Sequence, residues 1–188
     1  MDNEARLVPS SNLTFRPLVR EDFALLAKWL SEAHVKQWWR HDPSSAAVEA
    51  DFGASVDGTD PTELLLVFEE GRPIGLIQSY RIGDNREWRG ALRVVGPSDD
   101  AVGIDYLIGE PDATGRGLGT AMIRLFVDGI WTRYPDAPAV VVAVQQGNRG
   151  SWRALEKSGF RRIWSGTLDS DDPSDQGPSF VYEIIRGG

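Results

Sequence analysis

Residues 102–124 read VGIDYLIGEPDATGRGLGTAMIR, a run that changes character twice. Val102, Ile104, Tyr106, Leu107 and Ile108 have the β-branched and aromatic richness of a largely buried strand, and Pro111 ends it by removing a ladder donor. Gly115, Gly117 and Gly119 then alternate with Arg116 and Leu118 before an amphipathic helix begins. Glycines let the backbone turn sharply and approach a ligand closely, while the first turn of a helix offers unpaired N–H groups and the positive end of its dipole. A strand, a glycine-spaced loop and a helix in that order suit an anion, above all a phosphate.

A dinucleotide fold would need G-x-G-x-x-G, and a nucleoside-triphosphate loop would need Gly-Lys-Ser/Thr. Neither pattern occurs. The string Gly115-Arg116-Gly117-Leu118-Gly119 followed by a helix resembles the pyrophosphate arm of the GCN5-related N-acetyltransferases (GNAT). The resemblance implies acetyl-CoA as cosubstrate, held by Leu107, Ile108, Gly115, Arg116, Gly117, Leu118, Gly119, Thr120 and Asn148, with no metal. Where that family usually opens the loop with Gln or Arg, this chain has Thr114.

With 188 residues the chain suits one domain, 1–188, able to bury a substantial core. No apolar run approaches a membrane span, and the opening MDNEARLVPSS lacks the apolar centre of a signal peptide, so a cytoplasmic protein is expected. The absence of cysteine excludes disulfides, a thiolate nucleophile and a cysteine metal site. The formal net charge of -8 argues against nucleic acid, whose phosphates are bound by Lys and Arg. The same field would attract a cationic small molecule.

Leu13 to Leu18 reads as a first strand, and the helix after Arg20-Glu21-Asp22 turns Phe23, Leu25, Leu26, Trp29 and Leu30 to one face. Trp38 and Trp39 are adjacent, so both cannot enter one core from a helix, and at least one is expected to line a cleft. Ser44 or Ser45 caps a short helix through Phe52. Leu64 to Phe68 and Ile74 to Tyr80 form a hairpin, whereas Arg81 to Asp100 reads as a long connection with a short strand at Ala91 to Val95. The helix after the glycine loop runs to about Tyr134, Ala139 to Val144 is a strand covered on both faces, and Asn148 or Ser151 opens a helix ended by Gly159. Ile163 to Leu168 and Ser179 to Ile185 are the last strands, joined by the acidic loop 169–175. The sum is a mixed α/β chain, with a right-handed crossover and parallel strands around 104–144. The GNAT resemblance implies a central mixed sheet of six to seven strands flanked by about four helices.

Within that superfamily the chain resembles the aminoglycoside 6′-N-acetyltransferases from His34 to Phe160. The likeness is carried by His34-Val-Lys-Gln-Trp38-Trp39, Gly75 with Gln78-Ser79-Tyr80, Gly103-Ile104-Asp105, the glycine loop, and Asn148 with Glu156-Lys157-Ser158-Gly159-Phe160. It implies that Asp105 contacts the acceptor amine and assists its deprotonation, directly or through water. An ordinary aspartate, with a pKa of about 3.9, is a poor base at neutral pH unless its surroundings raise that value. The thioester oxygen would be met by a backbone N–H near Leu107 or Ile108. Trp38, Trp39, Gln78, Tyr80, Asp84, Asp105 and Asp171 of the acidic loop are the acceptor-binding candidates, since aromatic faces and carboxylates suit a sugar bearing ammonium groups.

Two further stretches depart from the family. Leu155 stands where a tyrosine often protonates the leaving thiolate, which leaves water or another hydroxyl such as Tyr106 for that task. Ala143-Val144-Gln145-Gln146 stands where antibiotic-modifying relatives tend to carry Asp-Pro. The expected reaction is transfer of an acetyl group from acetyl-CoA to the 6′-amine of an aminoglycoside in a ternary complex, by a monomer or homodimer, with no nucleic-acid or membrane partner. The competing readings are a siderophore-assembly N-acyltransferase acting on N-hydroxylysine, a branch that usually has histidine where Asp105 stands, and a non-catalytic sensor of coenzyme A or antibiotic.

Overall fold

The computed structural model describes residues 12–187, so the reading of the N-terminal stretch 1–11 lies outside the described residues. In chain order the elements are β1 (Leu13–Pro17), α1 (Phe23–Ser31), α2 (Ala33–Lys36), α3 (Ser45–Val56), β2 (Glu63–Glu69) and β3 (Arg72–Arg81). They continue with α4 (Arg86–Ala91), β4 (Val102–Ile108), α5 (Leu118–Arg133), β5 (Ala139–Gln145), α6 (Arg149–Lys157), β6 (Arg161–Thr167) and β7 (Pro178–Ile185). The strands form one seven-stranded sheet in the order β1-β2-β3-β4-β5-β7-β6. All neighbours are antiparallel except β4 and β5, which run parallel, as a helical crossover between them requires.

The uninterrupted apolar run of β2 makes sense once both sheet faces are covered. Leu64 and Leu66 pack with Leu26, Trp29, Leu30, Val48 and Phe52 from α1 and α3, while Leu65 and Val67 pack with Met122, Ile123, Phe126 and Ile130 from α5. The α5 face expected from its 3.6-residue spacing is therefore the buried one. Asn148 caps α6 by accepting from the Ser151 N–H at 3.2 Å, and Ser44 caps α3 through Ala47. Helix α3 runs four residues past the expected end at Phe52, to Val56.

The segment 81–100 departs from its reading. Ala91 to Val95 is not a strand: α4 ends at Ala91 and a single 3₁₀ turn follows, Leu92–Val94. Asn85 Oδ1 accepts from the Trp88 N–H at 3.0 Å, and Trp88, Ala91, Leu92 and Val95 recur at helical spacing. Trp88, Leu92 and Val95 cluster with Tyr80, Val141 and Val181, an arrangement that local propensity alone did not reveal. The helices of nine residues or more are α1, α3, α5 and α6, the number anticipated, with α2 and α4 as additional short ones.

Candidate active site

Strands β4 and β5 pair only at Val102↔Val140 and Gly103↔Val141, then separate. The rest of β4 thus has β3 on one side and an opening on the other. Gly109 N–H donates to Ile74 O and Ile82 N–H donates to Ala101 O, so odd-numbered residues of β4 bond toward β3. Alternation along the strand then turns the N–H groups of Tyr106 and Ile108 into the opening and the Leu107 N–H toward β3. Of the two amides expected near the thioester oxygen, Ile108 faces the gap and Leu107 does not.

The opening widens into a cleft of about 590 Å³ that Trp38, Trp39, Gln78, Tyr80, Asp105, Tyr106, Asn148, Ser151 and Asp171 all line. Asp105 sits on its floor. The Gln78 amide donates to Asp105 Oδ2 at 2.9 Å from the directly opposed position of β3. Burial pushes the Asp105 carboxyl above the usual carboxylate range, and the charge of Asp172 adds to this, while Gln78, Tyr80 and His41 act in the other direction. Tyr80 rises well above its ordinary value, through burial and then through its carboxylate neighbour. A carboxyl so placed holds a cation and is a better base than an exposed aspartate.

The acidic loop is strapped across one side of the cleft. Arg40 reaches it twice, through its N–H to Ser174 Oγ and its guanidinium to Pro173 O, each at 3.1 Å. Gln145 donates to the Ser174 carbonyl. The residue at one of the positions that lack the family's acidic pair therefore anchors the loop that carries the acids. Asp169, Asp171, Asp172 and Asp175 all line the cleft, and Asp169 is paired with Arg93 at 2.8 Å. Asp175 is pushed up to about 6, first by burial and then by Asp172 and Asp105, although Ser170 Oγ donates to it at 2.7 Å. Asp84 is displaced from the group: it lines a neighbouring depression with Asp60 and Thr62, because the turn Ile82–Asp84 carries it past the cleft rim.

The two tryptophans do different things. A Cβ added to Gly147 would lie 3.2 Å from the Trp38 ring, so Trp38 rests on the turn after β5. Trp39 lies 5.6 Å from the His41 ring and packs against the α1–α3 core. His34 donates through Nε2 to Ile108 O at 2.9 Å and braces the end of β4. Tyr106 and Ser151 share a hydrogen bond of 2.8 Å between their hydroxyls, across the gap from β4 to α6. Leu155 is fully buried in the α5–α6 core.

The glycine loop lies outside the cleft lining, at the mouth of α5. Gly115 and Gly117 have φ of 72° and 84°, the left-handed region that side chains disfavour. A Cβ at either would meet nothing within 4 Å, so the space above the loop is open. No side chain caps α5. Leu118 anchors the loop in the core, and the Arg116 guanidinium is held by Glu69 at 2.8 and 2.9 Å, which leaves its backbone as the part turned to a ligand. Asn148 spends its side chain on the α6 cap, and the Thr120 carbonyl accepts from Ser158 Oγ. Uncapped N–H groups facing open space fit a diphosphate.

Sequence reasoning passed over His41 and Ser151, and named the acidic loop without singling out Asp172 or Asp175. The charges of that loop gave no sign of which would turn inward. His41 and Ser151 had no signal apart from the loop and helix end on which they stand.

Comparison with known proteins follows the same lines. Residues 19–168 match the model of the acetyltransferase (GNAT) domain. The chain belongs to that family. It is 30% identical over 185 residues to the aminoglycoside N(6′)-acetyltransferase type 1 of Klebsiella pneumoniae and to that of Serratia marcescens, covering 95% of this chain and 86% of each relative. The crystal structure of aminoglycoside acetyltransferase AAC(6′)-Ib with coenzyme A superposes with a TM-score of 0.79 at 27% identity, over 93% of this chain and 95% of that one. A structure of the same enzyme with coenzyme A and kanamycin matches equally well. Among the described residues no helix is long and apolar enough to cross a membrane, and no group of His, Asp and Glu forms a metal set.

Proposed function

We propose that the chain, as one acetyltransferase domain, transfers the acetyl group of acetyl-CoA to the 6′-amine of an aminoglycoside. One observation carries the acceptor: Asp105, half-buried and bonded by Gln78, opens onto the same cleft as Asp171, Asp172 and Asp175, between aromatic walls. Carboxylates at several depths suit a molecule with several ammonium groups, and aromatic faces suit its rings and cations.

When bound, acetyl-CoA supplies the thioester whose carbonyl carbon the amine attacks. The N–H groups of the loop 115–119 and the first turn of α5 would hold its diphosphate, with Gly115 and Gly117 keeping the approach clear. The Ile108 N–H, and behind it that of Tyr106, faces the gap where negative charge develops on oxygen, with Ile108 steadied by His34. Asp105 holds the ammonium and orients it toward that gap. The Tyr106 hydroxyl, kept neutral by burial and bonded to Ser151, is positioned to donate a hydrogen bond to sulfur as it leaves, in place of the tyrosine that Leu155 lacks. Such donation aids a leaving group whose thiol pKa, about 8.5, already makes full protonation dispensable.

The test is thiol release from acetyl-CoA with kanamycin-like amines, with N-hydroxylysine and without acceptor. Turnover with the aminoglycosides and acetylation of the 6′-nitrogen by mass spectrometry support the reading. Turnover restricted to N-hydroxylysine would replace the acceptor, and tight coenzyme binding with no turnover on any amine would make the chain a sensor.

A further inference from the structure

The chemistry above leaves one proton without a destination. An aminoglycoside amine is cationic at neutral pH, so an N–H bond must break before its electron pair can attack. Asp105 is suited to hold the ammonium, bonded as it is by Gln78 in a cleft lined by other acids.

A second titratable constellation lines the same cleft. His41 follows α2, and its Nδ1 lies 2.8 Å from Asp51 Oδ2 on α3. An ionised carboxylate only accepts, so Nδ1 carries the hydrogen and Asp51 sets the tautomer. The ring is held between Trp39, 5.6 Å away, and Phe52, 5.9 Å away. Among the described residues Nε2 has no protein partner, Asp51 stands outside the cleft lining and His41 within it. The side chain remains 27% exposed, which gives a proton a way out. An imidazole fixed at one nitrogen by a carboxylate and free at the other is a general-base arrangement wherever it faces a proton donor.

We propose that His41, oriented by Asp51, is the group that receives the proton lost by the acceptor's ammonium, while Asp105 anchors it. The inference rests on the acceptor reading above. One N–H bond of the ammonium breaks, its electron pair stays on nitrogen and forms the new bond to the acetyl carbon, and the proton passes to Nε2, through a cleft water where contact is not direct. Nε2 then returns it to bulk solvent. The C–S bond breaks with its pair leaving on sulfur, and the second nitrogen proton goes to that thiolate or to water. Asp51 and Phe52 approach from α3, Arg40 and Asp42 flank His41 in its own loop, and Asp105, Asp172 and Asp175 line the same cleft from β4 and the acidic loop. His41 is near enough to Asp105 for its charge to favour the ionised carboxylate.

The experiment compares pH–rate profiles of the wild-type chain, His41→Gln and Asp51→Asn with an aminoglycoside that the wild type acetylates. His41→Gln should lose at least tenfold in kcat near pH 7 with KM within about threefold. The loss should shrink toward pH 9, where the amine sheds its proton to solvent unaided. Asp51→Asn keeps a hydrogen-bonding group but frees the tautomer, and should show a smaller loss that also fades with rising pH. Melting temperatures and coenzyme affinity should be nearly unchanged in both. A His41→Gln profile that overlays the wild type, or one reduced by the same factor at every pH, would overturn the assignment, the second outcome marking a purely structural histidine. Wild-type inactivity toward every aminoglycoside would instead remove the acceptor reading, and this inference with it.

Discussion

Gln78 and Asp105 face each other as directly opposed residues of β3 and β4, and the Gln78 amide donates to the Asp105 carboxylate at 2.9 Å. Burial makes that carboxyl hold its proton more tightly in the folded chain than in the unfolded one. Ionised Asp105 therefore costs stability at neutral pH, a cost that fades as pH falls through its folded pKa. Asp105→Asn is expected to lower kcat/KM for the acceptor by roughly 10²-fold through loss of the group that holds and orients the ammonium, with coenzyme affinity unchanged. The same variant should melt higher, by about 2–4 °C for each kcal/mol relieved. Wild-type turnover in it would remove Asp105 from the chemistry.

Asp175, pushed up to about 6, changes charge just below neutral pH. As pH falls from 7 to 5 the cleft loses this negative charge beside Asp172 and Asp105, so KM for a polycationic acceptor should rise. Over the same fall in pH the Asp175 contribution to folding stability should rise, since the protonated form suits its half-buried site. Asp175→Asn should raise KM at pH 7 and flatten its pH dependence, leaving the KM for acetyl-CoA unaffected. A KM profile as steep as the wild type's would show that another group titrates.

Gly117 has φ of 84° at the N-cap of α5, with open space where a side chain would go. Gly117→Ala should cost about 1–2 kcal/mol from the left-handed backbone and place a methyl where phosphate oxygens approach. Calorimetry is expected to show coenzyme affinity down at least tenfold, a larger effect than the drop in melting temperature accounts for. Unaltered affinity would argue against the helix mouth as the diphosphate site.

Tyr106 and Ser151 join hydroxyls at 2.8 Å across the gap between β4 and α6. Tyr106→Phe should reduce kcat about tenfold with little change in either KM, and cost about 1 kcal/mol of stability for the lost hydrogen bond. A kcat within twofold of the wild type would leave the departing sulfur to solvent.

The chain's pattern of apolar residues determined most of the fold by itself, because burial on one face imposes a period that sequence displays. The inner face of α5, the hairpin of β2 and β3, and the doubly covered β5 were all legible in this way. So was the glycine loop, where Gly115 and Gly117 occupy backbone regions that few other residues tolerate. Residues 81–100 were read as a long connection with a short strand at 91–95, which is instead the end of α4 and a 3₁₀ turn, since a short apolar run fits either period and only contact with Tyr80 and Val181 selects one. What tertiary structure alone decided is where β4 and β5 part after two paired positions, and hence which side chains meet in the gap. Asp105, the His41–Asp51 pair and Asp175 come from four separate segments of the chain. Their nearness depends on chain crossing and loop anchoring, which leave no periodic trace along a sequence.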